Sequence, residues 1–396
     1  MQKVRLSRWS LLLGTSLGVL GTLAVQQLIP EATAGKGQGP LERQTFHDTL
    51  DVVLDRYVEP VDTPSVMSRG LKHMVAGLDP YSHYMTAKER ELAQKRARQG
   101  AEAGLVTTLR NAGTQAAAEL EVIAVHPGSP ADQLGLGPGT KILELRDRPA
   151  AQLLSNAEAQ LLLSGASGER IGLIVDRGRG PELVDVELRK PNDAALVAGE
   201  VVERDGHPVG VIRIHAFRAG VGERVKKELA RLQSEAGSSG LVGLVLDLRG
   251  NPGGSVDEAL LVADLFVDEG VLTRTRGRGG VILREELATK AGTEVDLPLV
   301  VLQDRRSASA SELLAVALQE RKRAKIMGER SFGKGTVQEL IGLSDGSLLT
   351  LTVARYFSPD DRSIDGRGVE PDVALEQVEG SAGIDAASRE LVARNF

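Results

Sequence analysis

Cysteine is absent from all 396 residues. That removes thiol nucleophiles, structural disulfides, cysteine-ligated zinc and lipid attachment at cysteine, while leaving the redox compartment open. Histidine is almost as scarce. The six histidines (His47, His73, His83, His126, His207 and His215) are scattered, with no HExxH pair, so each reads as structural or solvated and no metal site is expected. Positive charge is also in deficit, with 48 Lys and Arg against 54 Asp and Glu. A net charge of −6 argues against nucleic acid as a partner. Long hydrophobic runs are missing after residue 25, so no second membrane-directed segment follows the N-terminus.

What is present begins with that N-terminus. Lys3, Arg5 and Arg8 precede an uncharged, largely apolar run of 17 residues over 9–25, and Ala32-Thr33-Ala34 offers small residues for cleavage. Residues 1–34 therefore read as a signal peptide, or as a membrane anchor if uncleaved. Either way the rest of the chain is expected to be exported, to the periplasm or the outer face of the cytoplasmic membrane. Membrane contact would come only through this segment.

The remaining length exceeds what one core sustains, since cores stop growing near about 250–300 residues. Residues 40–98 show helical spacing (Phe46, Leu50, Val53, Leu54, Tyr57) and read as an N-terminal helical region. Over 99–190, short β-like runs alternate with glycine turns. Over 195–378, strands at 209–214, 241–246 and 299–302 alternate with helices at 221–232, 256–266 and 310–321. Wholly apolar strands between helices imply a sheet covered on both faces. Residues 379–396 read as a polar tail or short helix. The fold class is multidomain α/β.

Residues 127–145 (PGSPADQLGLGPGTKILEL) give the 99–190 segment its resemblance to a PDZ domain. Such domains add a peptide as a strand at a sheet edge and capture its terminal carboxylate on backbone N–H groups. The resemblance implies Gly104, Leu105 and Val106 as ligand-binding residues. It departs at Glu102, which stands in the Gly-Φ-Gly-Φ loop and brings negative charge to where a carboxylate would bind.

The chemistry-bearing stretches lie further on. Ser307-Ala308-Ser309-Ala310-Ser311-Glu312 runs from an apolar strand into an apolar helix, where free N–H groups and the helix dipole favour negative charge. Taken alone, Ser309-x-x-Glu312 is a capping box. Together with Gly328 to Gln338 (GERSFGKGTVQ), however, it resembles the catalytic motifs of the C-terminal processing peptidases, the S41 serine peptidases. The resemblance spans roughly residues 45–375. It implies Ser309 as nucleophile, Lys334 as general base and Gln338 as the group orienting the amine. It also implies an oxyanion hole from Gly253 or Gly254, in Leu246-Asp247-Leu248-Arg249-Gly250-Asn251-Pro252-Gly253-Gly254, together with Ala310. A lysine serves as base only when neutral, and burial makes it so. Two smaller stretches support the resemblance: Gly77-Leu78-Asp79-Pro80-Tyr81-Ser82, with Tyr81 where histidine is common, and Ala354-Arg355-Tyr356-Phe357-Ser358-Pro359, both read as structural.

The expected function is an exported serine endopeptidase needing no cofactor, cleaving protein chains recognised by their C-termini. An adaptor protein and a homo-oligomer stay open as partners. Two alternatives remain: an inactive PDZ-containing scaffold, and a nucleotide hydrolase using the GxxxxGK pattern of Gly328 to Lys334, which lacks the Ser or Thr a P-loop needs next. A GxSxG pattern at 14–18 falls inside the export segment and is discounted.

Overall fold

The computed structural model describes residues 40–111, 117–289 and 296–395. The export segment and the 14–18 pattern lie outside them. Its central sheet has six strands in the spatial order Val197–Arg204, His207–Ile214, Gly243–Asp247, Leu299–Gln303, Ala324–Gly328 and Val373–Ala374. The first pair is antiparallel and all later pairs are parallel. Gly243–Asp247 and Leu299–Gln303 are buried along their whole length, as expected of apolar strands in the middle of a covered sheet.

Side chains alternate between the two faces of this sheet. Ile212, Leu244, Leu246, Val301 and Ile326 face helices Val221–Glu235, Val256–Asp264 and Ala310–Glu320. Val211, Val245, Val300, Leu302 and Met327 pack instead with Ala387 and Leu391 of helix Gly380–Asn395. Of the two readings of 379–396, polar tail or short helix, the structure has the helix: 16 residues packed against this face of the sheet. Its apolar contacts are Ile384, Ala386, Ala387, Leu391 and Val392, two of them only alanines, so the face is weakly marked among polar neighbours.

An antiparallel sheet joins His83–Met85, Leu348–Phe357, Val271–Gly277 and Ile282–Leu287, with Thr336–Gly342 also pairing to Leu348–Phe357. Another, in the order Leu105–Arg110, Glu119–Val125, Lys141–Leu145, Arg170–Asp176 and Pro181–Glu187, closes around its own core of Leu120, Ile142, Leu145, Leu173 and Val186. Helix Asn156–Leu162 lies beside its edge strand, where Asn156 Oδ1 accepts from Leu109 N at 2.7 Å. Helices Pro40–Arg56, Thr63–Ala76 and Ala87–Gln99 precede it. Among the described residues no helix is long and apolar enough to cross a membrane.

Because Gly243–Asp247 and Leu299–Gln303 are adjacent and parallel, the turns that leave them emerge side by side at their carboxyl ends. The docked C-terminal helix gives the first testable outcome. Leu391 is fully buried, so Leu391→Ala should lower stability by about 2–5 kcal/mol in urea unfolding. A change below about 0.5 kcal/mol would show the helix undocked.

Candidate active site

Asp304, at the end of strand Leu299–Gln303, binds the two neighbouring turns together. Its Oδ1 accepts from the backbone N–H of Gly250 at 2.9 Å and from those of Arg306 and Ser307 at 3.0 Å. Ser307 Oγ donates to Leu248 O at 2.8 Å, and Ala308 N to Asn251 O at 3.0 Å. Ser309 follows with φ 58° and ψ −117°, and helix Ala310–Glu320 starts on the next residue. A residue with a Cβ resists this conformation by about 1–3 kcal/mol, so surrounding bonds must hold it there.

The glycine turn meets Ser309 at van der Waals range. A Cβ on Gly253 (φ 96°) would lie 2.8 Å from Ser309 Cβ and 2.9 Å from Ala310 N, which only glycine avoids. Buried Asn251 braces the turn, donating Nδ2 to Ile214 O at 2.8 Å and accepting Gly253 N on Oδ1 at 2.9 Å. Gly253 N is therefore committed. Among the described residues no backbone acceptor takes the N–H of Gly254 or Ala310.

Glu312 reaches further than a cap. It is fully buried. Oε2 accepts from Ser309 N at 2.7 Å and Lys334 N at 2.8 Å, while Oε1 accepts from Ser331 Oγ at 2.5 Å and Gly333 N at 2.6 Å. Burial pushes its carboxyl above the ordinary value, with these donors pulling the other way.

Lys334 sits in the loop between Ala324–Gly328 and Thr336–Gly342. The loop enters a strand rather than a helix, which overturns the nucleotide-hydrolase alternative: a P-loop needs a helix N-terminus there to hold phosphate. Burial lowers the amine to about 8 while the Glu312 charge pulls it upward. Nζ lies 4.7 Å from the ring centroid of Tyr81. Among the described residues no hydrogen bond joins Lys334 Nζ to Ser309 or Gln338. Gln338 is buried on strand Thr336–Gly342 and donates its Nε2 to Thr336 Oγ1 at 2.8 Å and Thr352 Oγ1 at 3.2 Å, leaving Oε1 as its acceptor. Tyr81, read from sequence as structural, is the aromatic contact of the lysine. Its replacement of histidine was the one local signal of that contact. Burial and the charges of Asp365, Glu312 and Asp79 push its phenol up to about 12, so it stays neutral.

Gly104, Leu105 and Val106 are far from these groups in sequence and lie at the start of the edge strand Leu105–Arg110. A Cβ on Gly104 (φ 80°) would collide with Ser129 Cβ at 2.1 Å. Glu102 does not carry a free charge: Oε1 accepts from Arg218 Nη2 at 2.5 Å and pairs with His126 Nδ1 at 3.1 Å. Burial opposes its ionisation, but His126 and Arg218 outweigh it and hold the carboxyl at about 2.

The lysine offers a direct check. In an NMR titration of labelled lysines, Lys334 should titrate at about 8, and lower still in Glu312→Gln, which removes the upward pull. A value near the ordinary 10.5 would contradict the burial described here.

Comparison with known proteins bears on what such a site does. The profile of peptidase family S41 matches residues 208–375. A carboxy-terminal-processing protease of Bartonella bacilliformis is 31% identical over 334 residues, covering 84% of this chain and 74% of that protein. A carboxyl-terminal-processing protease of Synechocystis sp. is 31% identical over 377 residues, covering 92% and 84%. Among solved structures, the photosystem II D1 C-terminal processing protease superposes with a TM-score of 0.69 at 28% identity, covering 84% of this chain and 87% of that one. With sequence and fold in agreement over most of its length, the chain is a serine-type peptidase belonging to family S41, alongside the carboxyl-terminal-processing proteases.

Proposed function

We propose that this peptidase works through Ser309 as nucleophile and Lys334 as general base, with Gln338 orienting the amine. The observation that carries this reading is the lysine amine brought to about 8 by burial, in a loop tied to the nucleophile turn by one carboxylate. Ser309 Oγ attacks the scissile carbonyl as its proton passes to Lys334 Nζ. The C–N bond then breaks, and Lys334 returns the proton to the leaving amine. Water attacks the resulting ester, again giving a proton to Lys334, and the acid leaves with Ser309 restored. Charge developing on the carbonyl oxygen is met by the N–H groups of Gly254 and Ala310. Gly253 serves by its lack of a side chain, since its own N–H is held by Asn251. Gln338 suits its role because Oε1 accepts a hydrogen bond without adding a charge that would keep the amine protonated.

The unit over 99–190, built on a six-stranded sheet, is read as a PDZ domain, with the start of strand Leu105–Arg110 holding the substrate terminus. The relatives are named for processing carboxyl termini, and by analogy the substrates here are protein chains presented by theirs. Compensation of Glu102 by Arg218 and His126 supports this, because it removes the repulsion that a bare glutamate would exert. The segment 1–34 makes the enzyme an exported one.

Three outcomes test the reading. Ser309→Ala and Lys334→Ala should each abolish degradation of an unstructured protein substrate on a gel, and equal cleavage by both variants and wild type would refute the mechanism while excluding an inactive scaffold. Since the base acts only when neutral, kcat/KM should climb about tenfold per pH unit below the lysine pKa and level off above about 8. A flat profile between pH 6 and 9 would remove Lys334 as base. Paired peptides with free and amidated C-termini should differ in kcat/KM in favour of the free acid; equal rates would end the carboxylate-reading role.

A further inference from the structure

Beside the catalytic lysine lies a cleft of about 510 Å³ that none of the steps above uses. Three separate segments wall it: the turn from Gly77 to Tyr81, the strand Leu105–Arg110 at the sheet edge, and Phe332, two residues before Lys334. Its surface is apolar where it is most open. Leu78 is 63% exposed and Phe332 41%, with Leu109 buried beneath them. Two large apolar side chains at the mouth of one cleft let it bury an apolar group.

The charges at the cleft are already engaged. Asp79 accepts from Tyr81 N, Ser82 N and Ser82 Oγ, each at 2.8 Å. Arg110 pairs with Glu121 at 3.5 Å. Neither calls for a charged occupant. Tyr81 is shared, lining the cleft and carrying the Lys334 amine against its ring. Through Tyr81, a group seated there is one side chain removed from the Lys334 amine.

We propose that this cleft is a substrate subsite taking a large apolar side chain close to the scissile bond, with Leu78 and Phe332 as its specificity-determining residues. The proposal rests on the Ser309–Lys334 reading and adds to it which side chains the enzyme selects. The last residues of strand Leu105–Arg110, Thr108 to Arg110, line the same cleft, so an extended peptide lying against them would direct every second side chain toward one face.

Profiling the cleavage of a random peptide library by wild type, Leu78→Ser, Phe332→Ser and the double variant tests this, with Ser309→Ala as the blank. Wild type should favour Leu, Ile, Met or Phe over Ala and Ser by about tenfold or more at one position near the cut. In the double variant that preference should fall below about threefold while cleavage of peptides with alanine there stays within about twofold of wild type. Both residues are exposed, so the fold should survive, which a melting curve verifies. An unchanged preference profile overturns the subsite. So does an equal loss for all peptides, which would mean that the two residues only shape the lysine loop. Absence of any Ser309-dependent cleavage by wild type would instead overturn the catalytic reading, and the subsite with it.

Discussion

The buried carboxylate of Glu312 is the point on which the site depends. The Ser309 turn ends one strand of the parallel sheet, and the lysine loop joins that sheet to the antiparallel one. Nothing in their sequence separation brings them together. Glu312 does so by accepting from Ser309, Gly333 and Lys334 backbone N–H groups and from Ser331 Oγ. Burying a carboxylate costs several kcal/mol unless its lone pairs are filled, and four donors fill them. The same bonds hold Ser309 in its unfavourable backbone conformation, so strain at the serine and placement of the lysine are maintained together.

A second tier anchors this arrangement to the core. Asp304 and Asn251 fasten the glycine turn to the Ser309 turn. Beneath them, Arg249 makes a two-pronged pair with Asp247 at 2.8 and 2.7 Å, both side chains buried. Its remaining nitrogen donates to the carbonyls of Val378 and Gly380, where the C-terminal helix begins. The helix that covers the far face of the sheet is thereby linked to the turn carrying Gly253 and Gly254. Removing Arg249 would leave the buried Asp247 charge with only Arg213 Nε at 3.9 Å as a cationic partner, a larger disturbance than loss of one hydrogen bond.

Local features of this molecule were legible in its sequence, and pairings across long separations were not. The helix expected at 310–321 is Ala310–Glu320, and that expected at 221–232 is Val221–Glu235, because apolar spacing and flanking breakers are written locally. The serine and lysine were singled out by their spacing and company, since each alone had a blander explanation. The partners of Glu312 beyond its own helix turn, the contact of Tyr81 with Lys334 and the pairing of Glu102 with Arg218 carry no periodic signal. They exist only once the sheets have formed. Strand Val271–Gly277 with its neighbour Ile282–Leu287 was missed for a related reason: charged residues interrupt both, so neither shows the apolar run of a central strand.

Tyr81 shows how a departure from a familiar motif acts physically. Two influences act on the lysine in opposite directions: burial disfavours the ammonium, while the π face of the ring and the charge of Glu312 favour it. Histidine at position 81 could itself take up a proton, encouraged by Asp365, Glu312 and Asp79, whose charges act on this side chain. An imidazolium there would add a like charge beside the amine and make the base depend on a second titration. Tyrosine cannot gain that charge, and its phenol loses its proton only at about 12. The lysine is therefore left to burial, a neutral ring and one carboxylate, and its amine loses its proton in a single step at about 8.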